Sequence, residues 1–141
     1  MEPSAARSAR LFDPFEVTSV DISVSGPALE ALRSAPRSYV PCQVTFTIDG
    51  APQPTMEAGL RLKGRYGSSR PLTGKAALKL KLDFSVPGQS LLGIEELRLN
   101  NMVQDPTKRR EAVGYAMFRA LGVACPRTGY AWVTLNGGRC G

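Results

Sequence analysis

Apolar and polar residues alternate along six stretches of the chain, and this period of two predicts β-strands. The clearest stretch is residues 76–84, where Lys79 and Lys81 lie on the polar face. The side chains expected to face a core there are Leu78, Leu80, Leu82 and Phe84. The same pattern predicts further strands over residues 17–24, 43–48, 55–63, 94–100 and 128–135.

Two dipeptides between these stretches are typical of tight hairpin turns. Asp49-Gly50 follows residues 43–48 and predicts antiparallel pairing with residues 55–63. Asn136-Gly137 follows the last predicted strand, and only four residues come after it. We therefore expect that the return strand of this second hairpin is missing and that the native chain continues beyond Gly141.

One long helix is predicted between Asp105 and Gly122. Asp105 is a good N-cap, Pro106 suits the first helical position, and Gly122 is a typical stop. Between Ala112 and Leu121 the only strongly polar side chain is Arg119, which predicts a central helix rather than a surface one. With a short helix over residues 27–33, these elements predict an α+β fold. We expect an antiparallel sheet of five or six strands with one major helix packed across it.

Length and composition indicate a single globular domain, since the chain has 141 residues of which 43% are hydrophobic. Residues 1–14 are expected to form a disordered arm that ends in a turn at Asp13-Pro14. The first ten residues, MEPSAARSAR, have no apolar segment of the kind a signal peptide requires. No apolar run reaches 18 residues, so no membrane span is predicted.

The net charge of +6 favours an anionic partner such as a nucleotide, an acidic protein or a nucleic acid, although a basic surface also serves solubility alone. Nucleic acid ranks last among these partners, because aromatic residues for base stacking are not interleaved with the cations of the predicted strands. Those cations are Arg61, Lys63, Arg65, Lys79 and Lys81.

No metal site is predicted from the residues. The chain lacks histidine, and Cys42, Cys125 and Cys140 are not spaced as metal ligands. The three cysteines allow either one disulfide with a free thiol or three reduced thiols.

The loop over residues 64–74, GRYGSSRPLTG, combines small residues with arginines. Backbone amides can approach a phosphate in such a loop, and arginine side chains can bind its oxygens. Arg65, Ser68 and Ser69 are therefore candidate phosphate contacts. The alternative is a flexible hairpin loop without a ligand.

Lys79 and Glu111 form a second set of candidate site residues. If the long helix covers the polar face of the 76–84 strand, a lysine of that strand can meet Glu111, as in the lysine–glutamate pair with which protein kinases hold ATP phosphates. The alternatives are ordinary surface lysines and a solvated Glu111 that stabilises the helix N-terminus. Asn100, Asn101 and Gln104 lie between the strand and the helix, where they either brace a loop or contact a ligand.

Three segments together resemble the N-terminal half of the CotH family of spore-coat-type atypical protein kinases. They are KGRYGSSR, KAALKLKLDF and the run GIEELRLNNMVQDPTKRREAVGYAMFRALGVACPRTGYAWVTLNG. The resemblance extends from about Leu11 to Gly141, and LNNMVQDP and GVACPRTGYAWVTLNG are its most specific parts. Two positions depart from the family pattern: Tyr66 replaces a smaller or amide residue, and Cys125 replaces a proline.

The resemblance implies nucleotide-binding roles for Lys79, Glu111, Arg65, Ser68 and Ser69. Lys79 would bind the phosphates, with Lys75 and Lys81 as less favoured alternatives, and Glu111 would orient Lys79. It also implies ATP and Mg²⁺ as cofactors of the complete protein and Ser/Thr of a protein as the phosphate acceptor. Members of the family occur in spore coats and among exported proteins.

Residues 15–141 are therefore interpreted as a CotH-like kinase N-lobe that stops before the C-lobe. No catalytic residue is assigned within the chain, because the family's catalytic and metal-binding aspartates lie in the C-lobe. The fragment alone is expected to have little or no phosphotransfer activity. The alternative function is a non-catalytic binding module for an acidic protein or surface partner.

Overall fold

The computed structural model describes residues 4–65 and 67–140, which form one mixed sheet and three helices. The strands are β1 (Val17–Ser23), β2 (Val40–Ile48), β3 (Ala51–Pro52), β4 (Met56–Lys63), β5 (Ala77–Lys81), β6 (Glu96–Leu99), β7 (Tyr130–Leu135) and β8 (Gly138–Arg139). The helices are α1 (Ser4–Leu11), α2 (Gly26–Ser34) and α3 (Arg110–Ala120). All six predicted strands are confirmed, and the fold is of the α+β class.

The sheet has the strand order β6-β5-β4-β2-β1-β7-β8, and the short β3 pairs with β2. Neighbouring strands are antiparallel except β1 and β7, which run parallel with Val17 opposite Tyr130. The predicted antiparallel pairing of residues 43–48 with residues 55–63 is confirmed, since Gln43 lies opposite Glu57. Parallel pairing excludes a tight turn between the two strands, and residues 24–129, which contain five other strands, separate β1 from β7.

One face of the sheet buries the core, as the alternating pattern predicts. Alternate residues of β2, of β4 from Ala58 onward and of β5 are buried on this face, and α2 contributes Leu32, which is fully buried. The largest fully buried side chains are Phe46, Ile22, Leu32, Leu60, Leu78, Leu80, Leu82, Val20 and Val44. The opposite, outward face carries the polar residues of the same strands.

Phe84 does not face the core, and that part of the prediction is wrong. β5 ends at Lys81, so the alternation no longer determines which way Phe84 points. Its side chain is 40% exposed and packs against Gly59 of β4 and the ring of Tyr39, with ring centroids 5.9 Å apart. A Cβ atom at Gly59 would lie 2.6–2.9 Å from Phe84 side-chain atoms, so only glycine permits this contact.

The prediction of a central helix is also wrong, because α3 has no buried residue. Several apolar side chains of this segment are instead exposed to solvent. Val113, Met117, Phe118 and Leu121 are all exposed. Apolar composition around a helix predicts burial only if other elements cover the helix, and the sheet does not do so here.

The helix begins later than predicted, with Arg109 rather than Asp105 at the N-cap. The Asp105 carboxylate accepts hydrogen bonds from the backbone of Thr107 and Arg110 and from the Thr107 hydroxyl. Chiefly because of the Thr107 hydroxyl, the pKa of Asp105 is lowered to about 2. Asp105 therefore stabilises the turn that precedes α3 instead of capping the helix.

The disordered arm expected over residues 1–14 is wrong from residue 4 onward, whereas residues 1–3 lie outside the described residues. The expectation of a missing return strand is also wrong. Residues 4–11 form α1, where Leu11 is buried because it joins the core cluster. At the other end, β8 returns along β7 after a turn in which Asn136 and Gly137 have φ angles of +49° and +79°. Such angles characterise the tight hairpin turns that asparagine-glycine pairs favour.

Within the described part of the chain, no helix is long and apolar enough to cross a membrane. Cys42, Cys125 and Cys140 are all free thiols, which corresponds to the second of the two cysteine states that the sequence allows.

Replacement of Gly59 by alanine is expected to destabilise the protein by about 1–3 kcal/mol, because the added methyl group would displace Phe84. Urea denaturation would measure this loss. Gly114→Ala in α3 is the matched control, since its Cβ would meet no atom within 4 Å and alanine favours helix. An unchanged stability of Gly59→Ala would contradict the close packing of Phe84.

Burial raises the pKa of the Cys42 thiol to about 12. In a Cys125→Ser/Cys140→Ser background, we expect folded protein to resist alkylation at pH 8 and unfolded protein to react readily. Above about pH 9 the thiol of the unfolded chain ionises while that of the folded chain does not, so stability should fall as the pH rises. Rapid alkylation of the folded protein would contradict the burial of Cys42.

Candidate anion-binding site

Three cations lie side by side on the outward face of the sheet. The strand register places Arg61 of β4 opposite Lys79 of β5, and Lys79 opposite Arg98 of β6. Like charges at directly opposed positions destabilise a sheet. The repulsion within this row is reduced where a carboxylate or another anion lies beside it, and Glu96 of β6 is one such group.

The row forms part of the wall of an open cavity of about 360 Å³. The cavity lies where the outward face meets the loop that follows β4. Its wall contains six cationic side chains and no carboxylate among the described residues. The lining residues are Arg37, Arg61, Lys63, Gly64, Arg65, Ser68, Lys79 and Arg98.

The structure brings three of the five sequence-predicted site residues together at this cavity. Lys79, Arg65 and Ser68 line it, whereas Ser69 is exposed and Glu111 lies outside the lining. Of the less favoured lysines, Lys81 shares the outward face of β5 but does not line the cavity, and neither does Lys75. Tyr66 lies outside the described residues, so the expectation for that position stays a prediction.

Lys79 forms its ion pair with Glu96 rather than with Glu111. The Lys79 Nζ atom lies 2.8 Å from Glu96 Oε2, and the lysine side chain is only 15% exposed. Glu96 belongs to the neighbouring strand β6, and its other oxygen lies 3.8 Å from Arg98 Nε. The predicted Lys79–Glu111 pair is absent because the strand beside β5, not the helix, supplies the carboxylate.

Glu111 is linked instead to a lysine of β4 through an amide. The Asn100 Nδ2 atom donates to both carboxylate oxygens of Glu111, at 2.9 and 2.8 Å. Lys63 Nζ donates to Asn100 Oδ1. Asn100 thus connects the first turn of α3 to the wall of the cavity.

The pKa of Lys63 is lowered from its ordinary value, mainly because burial removes water from the ammonium group. The positive charges of Arg98, Arg61 and Lys79 lower it further, and the negative charge of Glu111 opposes them. Lys63 therefore occupies a crowded cationic environment in which one carboxylate offers partial compensation.

Asn101 braces the loop between β4 and β5. It is 5% exposed, and its Nδ2 atom donates to the backbone carbonyl oxygens of Ser68 at 2.8 Å and Lys75 at 2.9 Å. The Ser68 hydroxyl in turn donates to the Arg65 carbonyl oxygen and accepts from the Arg65 amide. Of the two roles considered for the asparagines, Asn101 therefore has the bracing role.

Sequence reasoning missed two contributors to the cavity and the role of a third residue. Arg37 approaches from the loop before β2 and donates to the Gly64 carbonyl oxygen, and no local pattern indicates this approach. Arg98 lies on a predicted strand, but its place opposite Lys79 requires the strand register. Lys63 was counted among the cations of the strands, but its link to Glu111 was not foreseen.

The described residues contain no group of three or more His, Cys, Asp or Glu side chains that could hold a metal ion. The cavity wall is cationic, so its donor set suits an anion and does not fit Mg²⁺.

Replacement of Asn101 by alanine should loosen the loop, because two backbone carbonyl oxygens would lose their buried donor. We expect a loss of about 1–3 kcal/mol in stability and faster amide hydrogen exchange over residues 67–75. Gln43→Ala, at an exposed amide of β2, is the control and should change neither quantity. Unchanged exchange of the loop in the Asn101 variant would contradict the bracing role.

A family model described as CotH kinase protein matches residues 60–141 of the chain. The matched segment covers more than half of the sequence and includes most residues of the cavity wall. A comparison with curated proteins gave no match. The chain belongs to the CotH kinase protein family.

Proposed function

We propose that this chain is the nucleotide-binding N-lobe of a CotH-like kinase and that its cationic cavity holds the phosphates of ATP. The single observation that carries the proposal is the convergence of six cations on the wall of one cavity in a chain from a kinase family, with Glu96 paired to two of them, Lys79 and Arg98. The complete protein would transfer the γ-phosphate of ATP to Ser or Thr of a protein substrate.

The shape of the site supports a small ligand with several negative charges. A volume of about 360 Å³ lies within the range of about 300–1,000 Å³ that is usual for small-molecule sites. Three opposed strands present cations in one row, and the loop adds Arg65 and the half-buried Ser68. Several arginine and lysine donors around one cavity suit the oxygens of successive phosphate groups.

Lys79 is the central residue of the proposed site. It is the middle cation of the row, and little of its side chain is exposed. Its partner Glu96 holds the ammonium group of a lysine that lines the cavity, where the group can also donate to a phosphate oxygen. A lysine ammonium group has three N–H donors, so one ion pair leaves the others available to a ligand.

The chemical step requires groups beyond this cavity. Phosphoryl transfer uses carboxylates to hold Mg²⁺ and to orient the acceptor hydroxyl. Asp105 does not suit that role, because its carboxylate is occupied by Thr107 and Arg110 in the turn before α3. We therefore assign nucleotide binding, and no bond-breaking step, to the residues of this chain.

Calorimetric titration of the 141-residue chain with ATP tests the proposal. Lys79→Met should weaken ATP binding at least about tenfold, which corresponds to about 1.4 kcal/mol, because the central cation is lost. Lys81→Met is the matched control on the same strand face. It should change the affinity less than about threefold, since Lys81 does not line the cavity.

Two outcomes would contradict the proposal. The first is a wild-type chain that does not bind ATP, and the second is an equal loss of affinity in both variants, which would indicate only a general effect of surface charge. Nucleotide-independent binding of an acidic peptide that Lys79→Met leaves unchanged would favour the binding-module alternative.

A further inference from the structure

The link between Lys63, Asn100 and Glu111 joins three separate parts of the fold. Lys63 is the last residue of β4, Asn100 directly follows β6, and Glu111 lies in the first turn of α3. Asn100 accepts from the lysine ammonium through Oδ1 and donates to both glutamate oxygens through Nδ2. The three side chains form a continuous chain of hydrogen bonds that ends at the cavity wall.

An amide is well suited to the middle position of this chain. Its oxygen only accepts and its NH₂ group only donates, so it can face an ammonium on one side and a carboxylate on the other. Both bonds involve a charged partner, and such bonds are stronger than neutral ones. The anchored amide therefore fixes where the Lys63 ammonium group lies.

Lys63 needs such an anchor more than an ordinary lysine does. Arg61, Lys79 and Arg98 repel its charge, and its long aliphatic chain would otherwise let the ammonium group move into solvent. The hydrogen bond to Asn100 opposes this repulsion and keeps the group beside the cavity. A ligand phosphate then meets a cation that is already in position, which lowers the entropic cost of binding.

We propose that Asn100 is a positioning residue that holds Lys63 against the cavity wall as a second phosphate-binding lysine, with Glu111 as its anchor. This inference rests on the proposed nucleotide-binding function. It gives Glu111 a role that does not require contact with Lys79. The two lysines differ in their partners: Lys79 pairs directly with the Glu96 carboxylate, whereas Lys63 is held by the Asn100 amide.

The exposure of the three residues argues against a purely structural role. Asn100 is exposed, and Lys63 and Glu111 are half-buried, so none of them belongs to the core. Polar contacts at such positions contribute little to stability, because water competes for the same groups. The contribution of the chain of hydrogen bonds is therefore expected in ligand affinity rather than in the free energy of unfolding.

A double-mutant cycle on the 141-residue chain tests the proposal with ATP as the probe. We expect Lys63→Met to weaken binding about tenfold and Asn100→Leu about three- to tenfold. Because Asn100 acts through Lys63, the double variant should bind no more weakly than Lys63→Met alone. The melting temperatures of all three variants should stay within a few degrees of wild type.

Two further variants strengthen the test. Glu111→Gln removes the anchoring charge, so we expect a loss of affinity in the wild-type background and no further loss in the Lys63→Met background. This second cycle decides the question if Asn100→Leu fails to fold. Gln43→Leu, an amide replacement elsewhere on the same sheet face, is the control and should bind ATP as wild type does.

The results separate this inference from the function on which it rests. Normal ATP binding by wild type, combined with an Asn100→Leu effect that is absent or is fully additive with Lys63→Met, would overturn the positioning role alone. Absence of ATP binding in wild type would overturn the proposed function and this inference with it.

Discussion

Electrostatic repulsion among cations on one face of the sheet is the constraint on which the site depends. Arg61, Lys79 and Arg98 lie side by side on strands whose opposite face joins the core, since that face is buried in β4 and β5 and half-buried in β6. The Glu96 carboxylate, paired with Lys79, compensates part of their charge. Burial of alternate apolar residues provides the favourable free energy that offsets the repulsion. The core and the cavity are thus two faces of one alternating sequence pattern, and a change of register by one residue would exchange them.

Much of the sheet could be predicted from the sequence because strand periodicity is a local property. All six predicted strands formed, and Lys79 was correctly placed on the polar face of its strand. The core position predicted for Phe84 was wrong because β5 ends before that residue. The N-cap role predicted for Asp105 was wrong because its carboxylate accepts hydrogen bonds in the turn before α3. The exposure of α3 could not be read from its composition, since burial depends on what other elements cover.

The candidate site was predictable in its residue types and not in its pairings. Lysine, arginine and serine near a glycine-rich loop suggested a phosphate site or an unliganded loop, and the structure places Arg65, Ser68 and Lys79 at one cavity. Which carboxylate approaches Lys79 depends on the register of β5 with β6, which places Lys79 between Arg61 and Arg98 and within reach of Glu96. Register and long-range approach are tertiary properties, so local sequence gives no signal for them.

The parallel pairing of β1 with β7 has a consequence for how the chain reaches this fold. Residues 17–22 align with residues 130–135, and the Asn136 side chain bonds both backbone polar groups of Val24. Contacts between such distant segments close slowly, because the loop entropy must be lost first. During synthesis one edge of β1 therefore stays unpaired until more than a hundred further residues have emerged. Over that interval the nascent chain exposes an open strand edge that can associate with other chains.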